Sequence, residues 1–459
     1  MYKLRSRVVF VYVSVLVAIY IVLVCTFLLH WDGRNIPWLF STTKDSGGDI
    51  VQKFRRCAHA SKLQGVINRT IIEKFVAKRT YAAPYCRELI AAVDATRVIE
   101  KARRYATKHA QVTINPSEYG DFIDCFGCDD FRYARAYAER PSSDEEQNFP
   151  IAFGITVYKD IEQVERLLRM IYAPQNYYCF HVDKKASADF KAAMKRIVDC
   201  FPNAILTSQS FDVKWATITV LDADLQCIKD LLDFNDTWIY YINLTGQEVP
   251  LVSNRQLVRI LKAMNGSNDI FISKERKRWE KRWAKNKSAV PHQLTLFKGN
   301  LHLMAHRNFT EFITRNHVAI NLYNWLRGTE VPDETFYSTL SSYQKNVCVP
   351  GAHAVDLSSD SLHFRWKVWT SYPGHPPCFG KALRDICIHG IGDIGRMVQQ
   401  TLNRSVAFMN KMFFDFEYLA FDCMEQYLKN LTNKDHIDNF VYDTKTVDNW
   451  SYVRNKRVC

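Results

Sequence analysis

The sequence predicts an α/β fold with a mostly parallel central sheet from residue 149 onward. Apolar runs of strand length recur there, stretches with helical periodicity separate them, and no internal repeat or low-complexity tract breaks the order. Ile151–Val157 reads as the first strand and Ile161–Ile171 as an amphipathic helix. Tyr177–Val182 is a second strand ending at Asp183. Residues 190–198 form a helix, 204–208 a third strand, 218–232 a helix and 238–244 a fourth strand. In such sheets ligands bind beyond the carboxyl ends of the strands. That places Thr156, Tyr158 and Asp183 near a nucleotide, although the same residues would serve as ordinary loop positions.

The segments before this core set the compartment. Residues 8–29 are an uncharged run of 22 residues, long enough to cross a bilayer as a helix. Lys3, Arg5 and Arg7 precede it, whereas Asp32 and Arg34 follow. The positive-inside rule then puts residues 1–7 in the cytosol and everything after residue 29 in a lumen. A cleaved signal peptide would have an apolar region of about 7–15 residues ending at small side chains, and this run is longer and ends Phe27-Leu28-Leu29-His30. The expectation is a type II anchor, a stem and N-terminal extension at 30–147, a catalytic domain at 148–432 and a C-terminal extension at 433–459. The cluster 140–147, rich in Pro, Ser and charge, reads as a linker.

Of 13 cysteines, Cys25 lies in the apolar run, which leaves 12 outside it, an even set that reads as disulfides in an oxidising lumen. Cys125-Phe126-Gly127-Cys128 has metal-like spacing, but no second pair matches it. Nine Asn-x-Ser/Thr sequons occur, at Asn68, Asn235, Asn243, Asn265, Asn286, Asn308, Asn403, Asn430 and Asn449. Asn243 lies within an apolar run, where a glycan would clash with a core. The net charge of +13 would suggest nucleic acid in a cytosolic protein. In a lumen the cations suit a nucleotide-sugar diphosphate, anionic glycans or a solvated surface.

Two motifs point the wrong way. Asp222-Ala223-Asp224 has the form of a manganese-holding Asp-x-Asp, but inside a helix positions two apart point about 200° away from each other. Gly390-Ile391-Gly392-Asp393-Ile394-Gly395 matches a dinucleotide fingerprint after the strand-like run 385–389. Fewer than 70 residues follow it, too few for a doubly wound domain, although its glycines could let backbone approach a phosphate. The basic stretch 274–287 places Trp279 and Trp283 on one helical face. It reads either as a carbohydrate- or phosphate-facing helix or as a solvated helix whose tryptophans pack on the body.

Several ordered motifs resemble one family, the β1,6-N-acetylglucosaminyltransferases that build core 2 and I branches, with peptide-O-xylosyltransferases as more distant kin. They are Arg166 to Tyr172, Pro174 to Asp183, Ala223 to Cys227, Tyr241 to Leu251, Pro332-Asp333-Glu334, Cys378 to Cys387 and Asn410-Lys411. The resemblance covers about residues 149–430. It implies a GT-A-like nucleotide-sugar transferase fold, a UDP-sugar as substrate, no divalent metal, an O-glycan or glycoprotein acceptor and a Golgi membrane location. Residue by residue, Glu334 matches the catalytic base, and Arg384 and Lys411 match the cations that grip the UDP diphosphate. Thr156, Tyr158 and Asp183 fall where uridine is held, and Trp366 and Asp333 in the acceptor region. The same matching implies disulfides Cys57–Cys423, Cys128–Cys200, Cys179–Cys227 and Cys378–Cys387. It leaves Cys86, Cys125, Cys348 and Cys459 unassigned, any of which could link two chains.

The chain departs from the family at three places. Tyr158 stands where the family tends to have His, Val368 replaces a second acceptor aromatic with Trp369 beside it, and Phe271 falls near a carboxylate that touches the acceptor. Glu334 as base would give inversion and a β-linked product, with Arg384 and Lys411 stabilising the leaving UDP. Alternatives are another donor, UDP-glucose or UDP-xylose, or a type II glycan-binding protein that has kept the fold and lost activity. A nuclease using 274–287 would need a metal or His cluster that the sequence does not contain.

Overall fold

The computed structural model describes residues 83–437, apart from breaks at 92–94, 110, 274–275, 355–363, 372–373 and 405, together with positions 74, 75, 447 and 453. The chain divides into compact units at 1–64 and 65–459, and every described residue belongs to the second. Among the described residues no helix is long and apolar enough to cross a membrane. The expected anchor at 8–29 lies outside them.

Helices α1 (Cys86–Ala91), α2 (Thr96–Lys108), α3 (Pro116–Ala134) and α4 (Asp144–Gln147) come first. The sheet then alternates with helices in the expected order: β1 (Ile151–Val157), α5 (Ile161–Ile171), β2 (Tyr177–Val182), α6 (Ala188–Asp199), β3 (Ala204–Leu206), α7 (Thr219–Phe234), β4 (Tyr240–Thr245). There follow β5 (Glu248–Pro250), α8 (Asn254–Met264), β6 (Asp269–Ile270), α9 (Arg276–Trp283), β7 (Leu303–His306), α10 (Arg307–Arg315), α11 (His317–Leu326) and α12 (Asp333–Ser341). The last elements are β8 (Arg365–Lys367), β9 (Lys381–Leu383), β10 (Ile386–Ile388), α13 (Ile394–Arg404), β11 (Phe408–Asn410) and α14 (Tyr418–Ile437).

The main sheet runs β3-β2-β1-β4-β7-β6. Its first four strands are parallel, and β7 and β6 add an antiparallel edge. A second sheet, β5-β11-β8, stands beside it, and β9 and β10 form a separate hairpin. One apolar core packs α7 and α10 to α12 against the main sheet, and another packs α1, α13 and α14 under the second sheet.

Several expectations need correction. Residues 140–147 are no linker: Ser143 accepts the Glu146 N–H, and Glu145 pairs with Arg259 and Lys262 of α8 at 3.1 and 3.2 Å. Helix α14 continues past residue 432, and Asp435 binds Ser253 and Gln256. Cys423 bonds to Cys86 rather than to Cys57, because α1 packs beside α14; Cys57 lies outside the described residues. Cys179 and Cys227 are buried neighbours, but both are free thiols, with the Cys227 thiol 3.4 Å from the Cys179 carbonyl. Cys128–Cys200 and Cys378–Cys387 form as expected. Cys125 and Cys348 are also disulfide-bonded, and Cys459 lies outside the described residues.

The Asp-x-Asp pair diverges. Asp222 accepts from the Tyr323 hydroxyl at 2.5 Å on one side of α7. Asp224 is buried on the other, accepting from Tyr241 at 2.5 Å, Tyr337 at 2.6 Å and Asn243 at 2.9 Å. The Asn243 amide also donates to the Leu301 carbonyl at 2.8 Å, which leaves no room for a glycan. Removing one partner of a buried charged network typically costs about 3–5 kcal/mol, and a single hydrogen bond to a charged group, such as the part-buried one at Asp222, contributes about 1.5–3 kcal/mol. Urea unfolding is therefore expected to show a larger loss for Asp224→Ala than for Asp222→Ala, with activity retained in the latter. Equal loss of activity in both, at unchanged stability, would indicate a shared metal.

Candidate active site

Glu334 sits in the first turn of α12. Pro332 precedes the helix, and its preset φ suits a helix start. Val331, at φ +48°, donates its N–H to the Ala216 carbonyl at 3.1 Å and fixes the entry. The Glu334 side chain is about a quarter exposed. Its Oε2 lies 2.5 Å from Arg282 Nη1 and 3.9 Å from Lys298 Nζ. Arg282 comes from α9, whose Trp283 is buried and donates its indole N–H to Thr335 of α12 at 3.0 Å. Trp279 lies under Arg282 at 4.4 Å and Lys298 at 4.9 Å. The tryptophans therefore pack on the body, while the charge between them reaches the site. Lys298 is brought close because the next residue is glycine: a Cβ on Gly299 would lie 2.6 Å from Ser338 Cβ. Phe271 faces Lys298 at 5.5 Å.

Asp333, beside the expected base, is buried and its Oδ1 has no hydrogen-bond partner. Burial first, and the Glu334 charge second, push its carboxyl up to about 7.

The second sheet organises the cations. Register places Glu248, Asn410 and Lys367 in one cross-strand row. Alternation sends Trp366, Met409 and Val249 to the apolar face, where Trp366 stacks on His389 at 4.8 Å. Glu248 is fully buried and accepts from Arg365 at 2.9 Å. Lys411 follows β11 directly. Burial lowers its amine most, with Arg384 adding repulsion and Glu248 opposing both, so Lys411 and Arg384 lie within electrostatic reach of each other. Arg384 and Asp385 form the two-residue tip of the β9–β10 hairpin, at φ +49° and +64°, as a type I′ turn requires. Asp385 accepts from Thr370 Oγ1 at 2.9 Å and from the Ser371 N–H at 2.8 Å, and Cys378–Cys387 closes the hairpin base. An arginine in the left-handed region is uncommon, and such conformations cluster at functional sites.

At the carboxyl ends of β1 and β2, Asp183 is buried and accepts from the N–H groups of Lys185 at 2.9 Å and Val213 at 3.3 Å. Lys185 also pairs with it and lies 5.6 Å from the ring of Tyr158, which is exposed. Thr156 lies opposite His181 and Thr245 in the sheet. Tyr158 borders a cavity of about 450 Å³ shared with Thr113, Ser187 and Phe414. The glycine-rich run does not cradle an anion with its first amides: Gly390 donates to Asp393 at 3.0 Å and Ile391 to Glu417 at 2.6 Å. A Cβ at Gly390 would meet the Glu417 carboxylate that accepts from Ile391. Cys387, His389 and Asp393 are grouped closely enough for a metal, but Cys387 is held in a disulfide.

The residues that sequence reasoning missed are Arg282, Lys298, Lys185 and Lys367. For Arg282 the signal was present, since it lies on the basic stretch between Trp279 and Trp283. The others carry no local signal.

Asp333 supplies a stability prediction. Its folded carboxyl titrates near 7 instead of the ordinary 3.8. Between these values the unfolded chain has lost the proton that the folded protein keeps, so this group's contribution weakens as pH rises from about 4 to about 7 and is level above that. Asp333→Asn is expected to gain on the wild type by about 1 kcal/mol or more in urea unfolding at pH 8 relative to pH 4. An identical difference at both pH values would contradict this environment for Asp333.

The family model described as Core-2/I-Branching enzyme matches residues 151–398. The human beta-1,3-galactosyl-O-glycosyl-glycoprotein beta-1,6-N-acetylglucosaminyltransferase 3 is 34% identical over 324 residues, 66% of this chain and 73% of that protein. A second human beta-1,3-galactosyl-O-glycosyl-glycoprotein beta-1,6-N-acetylglucosaminyltransferase is 33% identical over 325 residues, 66% of this chain and 75% of that protein. The bovine protein of the same name is 32% identical over 336 residues, 68% of this chain and 77% of that protein. The matched span contains Thr156, Asp183, Glu334, Trp366 and Arg384, and the chain is a glycosyltransferase that belongs to the core-2/I-branching enzyme family.

Proposed function

We propose that this chain is an inverting, metal-independent N-acetylglucosaminyltransferase that moves the sugar from a UDP-sugar to a hydroxyl of an O-glycan acceptor in β linkage. The observation that carries the reading is the placement of one partly exposed carboxylate, Glu334, beside Arg282 and Lys298 and within electrostatic reach of Lys367, whose ammonium makes no ion pair among the described residues. The names of the relatives supply the sugar and the acceptor class.

In this reading Glu334 Oε1, which has no protein partner among the described residues, takes the acceptor hydroxyl proton while Arg282 holds Oε2. The acceptor oxygen bonds to the anomeric carbon from the face opposite the diphosphate. The bond from that carbon to the β-phosphate oxygen breaks, and its electron pair leaves with UDP. Arg384 and Lys411 offset the growing charge, the part a divalent cation plays in enzymes with a convergent Asp-x-Asp. The guanidinium fork suits two phosphate oxygens. The divergence of Asp222 and Asp224 supports the metal-independent form. Asp183, Thr156 and Tyr158 would hold uridine, with Asp333 on the acceptor side; Trp366, expected there, packs in the apolar core on the opposite face of its strand and takes no part. Anchoring by residues 8–29, with the catalytic unit in the Golgi lumen, completes the proposal.

The test is UDP release by the full chain in detergent, with EDTA present, from a panel of UDP-sugars and β-galactosyl or GalNAc-containing acceptors. Activity is expected to survive EDTA, and Glu334→Gln is expected to lower kcat by about 10²–10⁴ while still binding UDP. Activity that EDTA abolishes and manganese restores, or a fully active Glu334→Gln, would overturn the reading.

A further inference from the structure

Lys367 is the one residue of the cross-strand row whose charge has no assigned work. Its row partner Glu248 is engaged by Arg365, and Asn410 is neutral. The half-buried Lys367 ammonium makes no hydrogen bond and no ion pair among the described residues, and rests 4.6 Å from the ring of Trp369. Because Trp366 points to the apolar face, alternation turns Lys367 to the other face, with Arg365.

The charged neighbours of Lys367 fix its place. They are Glu248 on β5, Lys411 after β11, Glu334 on α12 and Lys298 before β7. Arg365 lies on its own strand, and the buried His302 is kept neutral, by burial first and then by Arg365, Lys367 and Lys411. Lys411 in turn feels Arg384. Lys367 therefore lies within electrostatic reach of Glu334 and of Lys411, which follows its row partner Asn410. Lys367 is the cation that interacts with both the diphosphate clamp and the base. Burial, with Lys411 second, brings its amine down to about 8. The repulsion between Lys367 and Lys411 is only partly offset by Glu248 and Glu334, and an entering anion would relieve it.

We propose that Lys367 is a third cation of the donor site, contacting the β-phosphate of the bound nucleoside diphosphate on the side facing Glu334. This rests on the donor reading above. In the transfer step the bond between the anomeric carbon and the β-phosphate oxygen breaks, the electron pair stays on that oxygen, and the acceptor proton goes to Glu334. Lys367 keeps its proton and offsets the charge on the departing oxygen, where Arg384 and Lys411 act further along the diphosphate.

The experiment compares the full-length wild type, Lys367→Met and Lys367→Arg in detergent with EDTA. It measures UDP affinity by calorimetry from pH 6.5 to 9, kcat with the donor that the wild type uses, and thermal stability. Lys367→Met is expected to weaken UDP binding about tenfold or more and to lower kcat at least as much. The same variant is expected to melt higher than the wild type at pH 7, since it removes an uncompensated charge, a combination that damaged packing would not give. Lys367→Arg is expected to restore binding and to lose the decline in UDP affinity that the wild type shows above about pH 8. UDP affinity and kcat within twofold of wild type in Lys367→Met would overturn the inference while leaving the donor reading intact. A wild type that binds no UDP would overturn both.

Discussion

The Asp224 carboxylate ties the parallel sheet to the helix that carries Glu334. It is buried and accepts from Tyr241 and Asn243 on β4 and from Tyr337 on α12. Burial raises its pKa, against the pull of three donors. Hydrogen bonds to a charged group contribute about 1.5–3 kcal/mol each, so this single side chain outweighs any surface pair in holding α12. Tyr337 lies three residues after Glu334, one turn along the helix, and its bond to Asp224 therefore fixes the axial position and rotation of Glu334. A residue that looks like half of a metal site is thus a structural support of the helix that carries Glu334.

A second buried carboxylate, Glu248, plays the matching part for the cations. With Arg365 it forms a desolvated pair between β5 and β8, across the strand that leads into Lys411. Such a pair adds little net stability but is costly to break, which makes it suited to fixing register. Once register is fixed, period-two alternation decides which side chains face the apolar core and which face the site. Trp366 and Lys367 are neighbours in sequence and fall on opposite faces for that reason. The hairpin tip is held in the same over-determined way, with Asp385 accepting from the segment after β8 and a disulfide at the base. Glu334 and the cations are thus positioned by separate buried networks.

The alternating core was legible because its strands are continuous apolar runs and its helices have clear periodicity, so β1, α5 and β2 match their expected limits. Glu334, Arg384 and Lys411 were identifiable as candidates through their motif contexts. Lys367 and Lys298 were not, since a lysine in a short strand or loop has no local signature, and its neighbours come from strands far apart in sequence. The Cys57–Cys423 disulfide was implied by the family matching alone, and the bond to Cys86 that forms instead depends on α1 packing beside α14 across 337 residues, a tertiary fact with no local signature. The segment 140–147 looked like a linker by composition, but Ser143 caps a short helix there and Glu145 docks it on α8.

The most direct test of the central claim, one carboxylate base opposed to a cation-held diphosphate, is the anomeric configuration of the first product. The full chain would be incubated with UDP-α-GlcNAc and a β-galactosyl-GalNAc acceptor in EDTA, and the new linkage read by NMR before any anomerisation or hydrolysis. The account predicts a β linkage formed without added metal. An α-linked product, or none until a divalent cation is supplied, would contradict it.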